Sequence, residues 1–103
     1  MTEAIHESWW LATLGRTIVW ARLREREAGT GEVFDSDGNT LSYDSLDTAR
    51  AALMDAEFVD FDGLDEDDAL ERGFSLAELA PPRGIDDEAL PDHMIRQLGG
   101  RAG

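Results

Sequence analysis

The order of apolar and polar residues predicts a β-hairpin near the N-terminus. Residues 8–14 and 17–25 are rich in aromatic and β-branched side chains, which favour strands. Gly15 and Arg16 stand between these two runs and fit a two-residue turn, with the glycine at a position that needs a positive φ. The pattern therefore predicts two antiparallel strands joined by a tight turn.

This hairpin has an apolar surface on both of its faces. In the register that the turn sets, Trp10 lies opposite Ala21, and Leu11 lies opposite Trp20. One face carries Trp10, Ala12, Leu14, Val19 and Leu23. The other face carries Trp9, Leu11, Ile18 and Trp20. A helix is the rival interpretation, since Leu11, Leu14, Ile18 and Ala21 also recur at helical spacing, but a glycine inside the run favours the hairpin.

A second hairpin is predicted over residues 31–36 and 39–43. Asp37-Gly38 is a common sequence for a two-residue type I′ turn. That turn would place Phe34 opposite Leu41, so that both would share a face with Tyr43.

Three helices follow in the sequence pattern. Residues 45–57 are alanine-rich and carry apolar residues at helical spacing, with a serine able to cap the first turn. Residues 65–72 begin with four acids that suit the positive end of a helix, and Gly73 can end it. Residues 75–80 have capping-box spacing and precede two prolines.

These elements define an α+β domain over residues 1–82, with an antiparallel sheet of two hairpins and helices on one side. Residues 83–103 are rich in glycine and charge and form a C-terminal tail. The tail either docks through a short helix at 92–98 or becomes ordered on binding a partner. A chain of this length supports one core of modest size.

The charge of the chain affects the predicted function more than it affects the predicted fold. The net charge is −14, and residues 44–92 hold sixteen acids and three arginines. This field repels phosphate, so direct binding to nucleic acid or to an anionic membrane is not expected. A protein partner with a basic surface is favoured. Six acids of one segment are predicted to guide such a partner electrostatically: Asp60, Asp62, Asp65, Glu66, Asp67 and Asp68.

Residues that carry chemistry are scarce. The chain has no cysteine and no lysine, and its two histidines stand far apart, so no catalytic, cofactor-binding or metal-binding residue is assigned. Asp35, Asp37 and Asn39 match the start of a calcium-binding loop, but Thr40 replaces the glycine and Leu46 replaces the glutamate that such a loop requires. We expect a protein that is not an enzyme and needs no cofactor.

The helix at 45–57 can cover only one apolar face of the first hairpin. The other face must be covered by the C-terminal segments, by a second copy in a homodimer, or by a partner. Arg22 extends this face beside Trp9, where it would form a cation–π pair. Aromatic and arginine side chains around an apolar centre are typical of interaction hot spots. The predicted contact residues are Trp9, Leu11, Ile18, Trp20 and Arg22.

The sequence thus favours a small acidic protein-binding module of the adaptor, inhibitor or immunity type. Its first residues lack the basic and apolar regions of a signal peptide, so we expect it in the cytoplasm. One alternative is an inhibitor that mimics nucleic acid, displaying carboxylates at the charge density of DNA to a DNA-binding protein. A second alternative is an enzyme that uses carboxylates, with or without a metal.

Overall fold

The computed structural model describes residues 4–98, which form an antiparallel sheet packed against one α-helix on one face and shorter segments on the other. The strands are β1 (Ala4–Leu14), β2 (Thr17–Arg26), β3 (Gly31–Phe34), β4 (Thr40–Tyr43), β5 (Val59–Asp60) and β6 (Ile95–Gln97). Their order is β4-β3-β2-β1-β5, and β6 also pairs with β2. The α-helices are α1 (Leu46–Asp55) and α2 (Glu66–Glu71), and 3-10 turns span Phe61–Gly63 and Leu90–His93. The predicted α+β class is confirmed.

The first hairpin has the predicted register, and the helical alternative is wrong. Trp10 pairs with Ala21, and Leu11 pairs with Trp20. Gly15 adopts a φ of 63°, a left-handed conformation that glycine takes without steric cost. The turn therefore fixes which side chains of β1 and β2 lie on each face.

The register predicted for the second hairpin is wrong by one residue. Phe34 pairs with Thr40, and Leu41 pairs with Val33. Gly38 has a φ of 85°, and its backbone N–H donates to the Asp35 carbonyl oxygen. This is a three-residue turn that ends in a left-handed glycine and adds a bulge, in place of the two-residue turn. Phe34 consequently lies on the opposite face of the sheet from Leu41.

Helices α1 and α2 confirm the predictions for residues 45–57 and 65–72. The Ser45 hydroxyl accepts a hydrogen bond from the Thr48 backbone N–H at 3.1 Å. The Asp65 carboxylate accepts a hydrogen bond from the Asp68 backbone N–H at 2.9 Å. Both side chains satisfy N–H groups that have no partner within the helix. None of the helices within residues 4–98 has the length and apolar character that crossing a membrane requires.

Two predicted helices are absent from the part of the chain that the structure describes. Residues 75–80 form a single turn, in which the Ser75 hydroxyl accepts from the Ala77 N–H. Residues 92–98 form the end of a 3-10 turn followed by β6. The β6 backbone pairs with β2, and the Trp20 N–H donates to the Met94 carbonyl at 2.8 Å. Pairing with an open strand edge outweighs the helical spacing of the apolar residues.

The two faces of the sheet hold separate apolar clusters. On the α1 face, α1 packs over a buried cluster of Trp10, Ala21, Leu23, Val33, Ala49 and Leu53. On the other face, which we name the C-terminal face, the cluster joins residues of the sheet to residues from the second half of the chain. Its members are Trp9, Leu11, Ile18, Trp20, Phe34, Ala69, Phe74, Leu79, Leu90 and Met94.

Close contact between α1 and β3 depends on a glycine. A Cβ atom at Gly31 would lie 2.8 Å from the Ala49 Cβ and 3.1 Å from the Ser45 carbonyl oxygen. We expect Gly31→Ala to lower the free energy of unfolding by about 1–3 kcal/mol, because the helix must move away from the sheet. Gly63→Ala is the matched control, since its Cβ would meet nothing closer than 3.9 Å. Urea unfolding of both variants tests this, and equal midpoints would contradict it.

Candidate functional site

The predicted apolar contact residues lie inside the monomer. Trp9 and Trp20 are each 1% exposed, and Leu11 and Ile18 are fully buried. The two indoles meet edge to face with their ring centres 6.3 Å apart, and the Phe61 ring packs on Trp20 with a distance of 5.3 Å between ring centres. This face could have been covered by the C-terminal segments, by a second copy or by a partner, and the C-terminal segments cover it. These side chains therefore offer no open surface to a partner.

Arg22 is also buried, and its cation–π pair is with Phe34 in place of the predicted Trp9. Its guanidinium lies 4.9 Å from the centre of the Phe34 ring, although Trp9 is its neighbour across the strands. One of its nitrogens donates to the Asp87 carboxylate at 2.9 Å. The Arg22 Nε has no partner. Arg22 thus ties the segment before the C-terminal 3-10 turn to β2.

Two further arginines of β2, which follow Arg22 at every second position, also form ion pairs. Arg24 donates to Glu7 at 2.8 Å, and Arg26 donates to Glu32 at 2.7 Å. The Glu32 hydrogen bond raises the pKa of Arg26 above its ordinary value. Each of these cations is thus neutralised by a carboxylate of the same chain.

The Arg22–Asp87 pair makes stability depend on pH. The hydrogen bond from Arg22 lowers the pKa of Asp87 below its ordinary value. A lowered folded-state pKa stabilises the protein above the unfolded value, and that stabilisation is lost as pH falls through the folded-state pKa. Because the Asp87 side chain is 58% exposed, we expect Asp87→Asn to cost only about 1 kcal/mol at neutral pH.

The difference between wild type and Asp87→Asn should shrink as the pH falls below about 4, where the carboxyl group becomes protonated in the unfolded chain and then in the folded one. Denaturation over a pH series measures this. Asp86→Asn, at the exposed neighbouring position, is the control. A difference independent of pH would contradict the assignment.

The six predicted guide acids lie together in the segment from β5 to α2. Asp62, Asp65, Glu66 and Asp67 are exposed, whereas Asp60 and Asp68 are partly buried. Asp60 and Asp65 accept hydrogen bonds from the backbone N–H groups of Asp62 and Asp68. Arg83 lies 3.8 Å from Asp62. Asp60 and Asp65 therefore cap local backbone N–H groups, whereas Glu66 and Asp67 are exposed on α2 and contribute negative charge to the surface.

An apolar groove lies on the α1 face, between α1 and the strands β2, β3 and β4. It has a volume of about 190 Å³. We name it the α1 groove; its lining residues are Ala21, Val33, Asp35, Leu41, Tyr43, Ala52, Leu53, Ala56 and Phe58. Ala52 and Ala56 are one helical turn apart, and their small side chains leave space that larger residues would fill. Leu41 is 47% exposed at the edge of the groove.

One acid lines the α1 groove, and others adjoin its lining residues in the sequence. Asp35 lines it, and its carboxylate accepts from the backbone N–H groups of Asp37 and Asn39 at 3.0 Å each. Asp44 follows Tyr43 in the sequence, and Asp55 and Glu57 stand on either side of Ala56. No arginine lines the groove. Sequence reasoning missed this site; the apolar alternation in β4 and the alanine pair in α1 were the available signals.

Glu57 occupies a backbone conformation that normally favours glycine. Its φ is 69°, and it directly follows the residue that ends α1. A residue with a Cβ atom is strained there, and such positions concentrate at functional sites. We expect Glu57→Gly to raise the free energy of unfolding by about 0.5–1 kcal/mol, measured by urea unfolding, with Glu57→Ala as a control that leaves the strain in place. Equal stability of the two variants would contradict this.

Two smaller cavities also lie within residues 4–98. A cavity of about 160 Å³ is lined by Gly73, Phe74, Glu78, Leu79, Arg96 and Leu98. One of about 50 Å³ lies among the paired arginines of β2. Within residues 4–98, no three His, Asp or Glu side chains are placed so that they could hold a metal ion. Comparisons of the chain with family models, curated proteins and solved structures found no match.

Proposed function

We propose that this chain is a small acidic protein-binding module of the adaptor, inhibitor or immunity type, without catalytic activity, and that it binds a basic segment of another protein in the α1 groove. The observation that carries the proposal is an open apolar groove that Asp35 lines, with Asp44, Asp55 and Glu57 next to lining residues in the sequence. The buried aromatic residues that we first predicted as contacts have no part in it.

The size of the groove favours a side chain of a protein over a free small molecule. At about 190 Å³ it is smaller than the roughly 300–1,000 Å³ of typical small-molecule sites. An apolar side chain anchored in a small pocket, with charges around it, is the usual arrangement of a protein interface. Leu41 and the partly buried Phe58 provide apolar surface for such an anchor.

The charge of the chain selects among partners. A net charge of −14 attracts a basic segment and speeds its association, whereas two copies of this chain repel each other. The exposed acids between Asp62 and Asp67 act from outside the groove, so their contribution is to the rate of encounter. We place this binding in the cytoplasm; the absence of cysteine supports a reducing compartment, because small secreted domains are commonly rich in disulfides.

Selection from a random dodecapeptide library on the immobilised protein tests the proposal. We expect the selected peptides to combine arginine or lysine with apolar residues. Asp55→Asn/Glu57→Gln, the groove variant, replaces the acids on either side of the lining residue Ala56, and it should weaken the affinity of a selected peptide by about three- to tenfold and speed its dissociation. Replacing the distant acids in Glu66→Gln/Asp67→Asn removes the same charge and should mainly slow association.

Both double variants keep the fold, because none of these four side chains is buried. Peptides that bind equally well to the groove variant would contradict the proposal. Loss of binding in Glu66→Gln/Asp67→Asn alone would favour the nucleic-acid-mimicking alternative, in which the acidic segment is itself the contact surface.

A further inference from the structure

Strand β4 forms one edge of the sheet and carries none of the charged residues or prolines that commonly protect an edge. It pairs with β3 on one side and ends the strand order of the sheet. Its residues, Thr40–Tyr43, include neither a charge nor a proline. Natural proteins commonly place lysine, proline or a covering segment at an exposed edge, because an open edge pairs with other chains. An edge without a charge or a proline, and with three exposed residues of four, is open to a further strand.

The register shows which backbone groups of β4 are directed outward. The Asp35 N–H donates to the Asn39 carbonyl oxygen at 3.0 Å, so this pair is hydrogen-bonded. Hydrogen-bonded pairs alternate along an antiparallel ladder, which makes Val33–Leu41 the next such pair. The backbone N–H and C=O groups of Thr40 and Ser42 therefore point away from β3. They are the donors and acceptors that an added strand would use.

The open edge and the α1 groove meet at the same residues. Leu41 and Tyr43 line the groove, while Thr40 and Ser42 alternate with them along β4. A strand added to β4 would place every second side chain beside Leu41, on the side where the groove opens. Backbone pairing and an apolar anchor can thus act on the same segment of a partner.

Acids stand at both ends of this edge. Asp35 and Asp37 belong to the turn before β4, and Asp44 directly follows its last residue. A second copy of the chain would bring the same acids together at both ends of the paired strands, which is unfavourable. A segment with an apolar centre and cationic ends has the complementary charge.

We propose that the partner binds by strand addition: an extended basic segment of another protein pairs with β4 and inserts an apolar side chain into the α1 groove. This inference rests on the proposed function and adds the conformation of the ligand. It predicts that the apolar residues of the segment are spaced two apart, facing the groove, with cationic residues at its ends.

The experiment uses the wild-type protein and the peptides selected on it. Amide hydrogen exchange is measured by NMR with and without a peptide. We expect the exchange rates of the Thr40 and Ser42 amides to fall at least about tenfold in the complex. An amide that is hydrogen-bonded between two strands exchanges only when the strands separate. The selected sequences should repeat apolar residues at spacing two. Ser42→Pro removes one outward N–H without removing a β3–β4 bond, so it should abolish peptide binding.

Each outcome decides between the two proposals. Binding that depends on Leu41 but leaves the Thr40 and Ser42 amides unprotected, with apolar residues spaced three and four apart, means a helix in the groove and overturns strand addition alone. Binding that does not depend on Leu41 overturns the proposed function as well. Protection of both amides without peptide, together with a doubled mass in light scattering, means that a second copy occupies the edge and also overturns strand addition. The exchange measurement needs no variant, so it stands even where Ser42→Pro does not fold.

Discussion

Leu90→Ala is expected to lower the free energy of unfolding by about 2–5 kcal/mol, since it removes a fully buried side chain and leaves a cavity. Leu90 comes from the C-terminal 3-10 turn and lies in the same cluster as Trp9 and Trp20. A domain of this size has a stability of roughly 5–15 kcal/mol, so the loss is a large fraction of the whole. The effect would show that the second half of the chain completes the core of the first.

Leu70→Ala is the matched control for this measurement. Leu70 lies on α2 and is 59% exposed, so its truncation should change stability by no more than about 0.5 kcal/mol. Both variants are measured by urea unfolding, with the midpoint and the slope compared to wild type. Equal, small losses in the two variants would mean that the C-terminal segment does not cover the tryptophan cluster.

Leu41→Ser is expected to weaken the binding of a selected basic peptide by about three- to tenfold. Full burial of an exposed leucine side chain contributes about 1.5–3 kcal/mol, so burying the 47% of Leu41 that is exposed contributes about 0.7–1.5 kcal/mol, and each 1.4 kcal/mol is a factor of about ten in affinity. Serine is neutral, so the substitution leaves the electrostatic attraction between peptide and groove unchanged. The side chain is already half-exposed, and the stability of the free protein should therefore fall by less than about 1 kcal/mol.

Leu70→Ser serves as the control, because it makes the same chemical change at an exposed leucine away from the α1 groove. Isothermal titration calorimetry on the three proteins gives the affinities. An unchanged affinity in Leu41→Ser, or an equal loss of affinity in Leu70→Ser, would mean that the peptide does not bind in the α1 groove.

The first hairpin could be predicted because its register depends on local chemistry alone. A two-residue turn with a glycine at the left-handed position fixes every pair in the ribbon, and the alternation of apolar residues agrees with it. The capped starts of α1 and α2 are equally local, since each depends on one side chain and an N–H group three residues later.

In the second hairpin, one additional residue in the turn moves side chains to the other face of the sheet. Asp37-Gly38 favours a two-residue turn, but the Asp35 carboxylate accepts two backbone hydrogen bonds and stabilises a longer one. The resulting shift of one residue moves Phe34 to the C-terminal face, where it stacks on Arg22. Such a competition between turn types is a difference of small energies that a composition pattern does not resolve.

The candidate site could not be predicted, because it depends on packing between distant segments. Sequence reasoning found that α1 covers one face only, and it located the uncovered apolar surface on the face with Trp9 and Trp20. In the structure the C-terminal half covers that face, and the open surface is beside α1 itself. The groove exists because α1 has alanines where it passes β4, and that placement becomes visible only once the helix is docked.

The most direct test of this account is an NMR titration of the labelled protein with a selected basic peptide. We predict shift changes at the backbone amides of Val33, Leu41, Ala52 and Phe58, while the indole N–H signals of Trp9 and Trp20 stay in place. Changes centred on those two indoles and on residues 83–98 would mean that the C-terminal face opens to receive the partner, and would contradict the account.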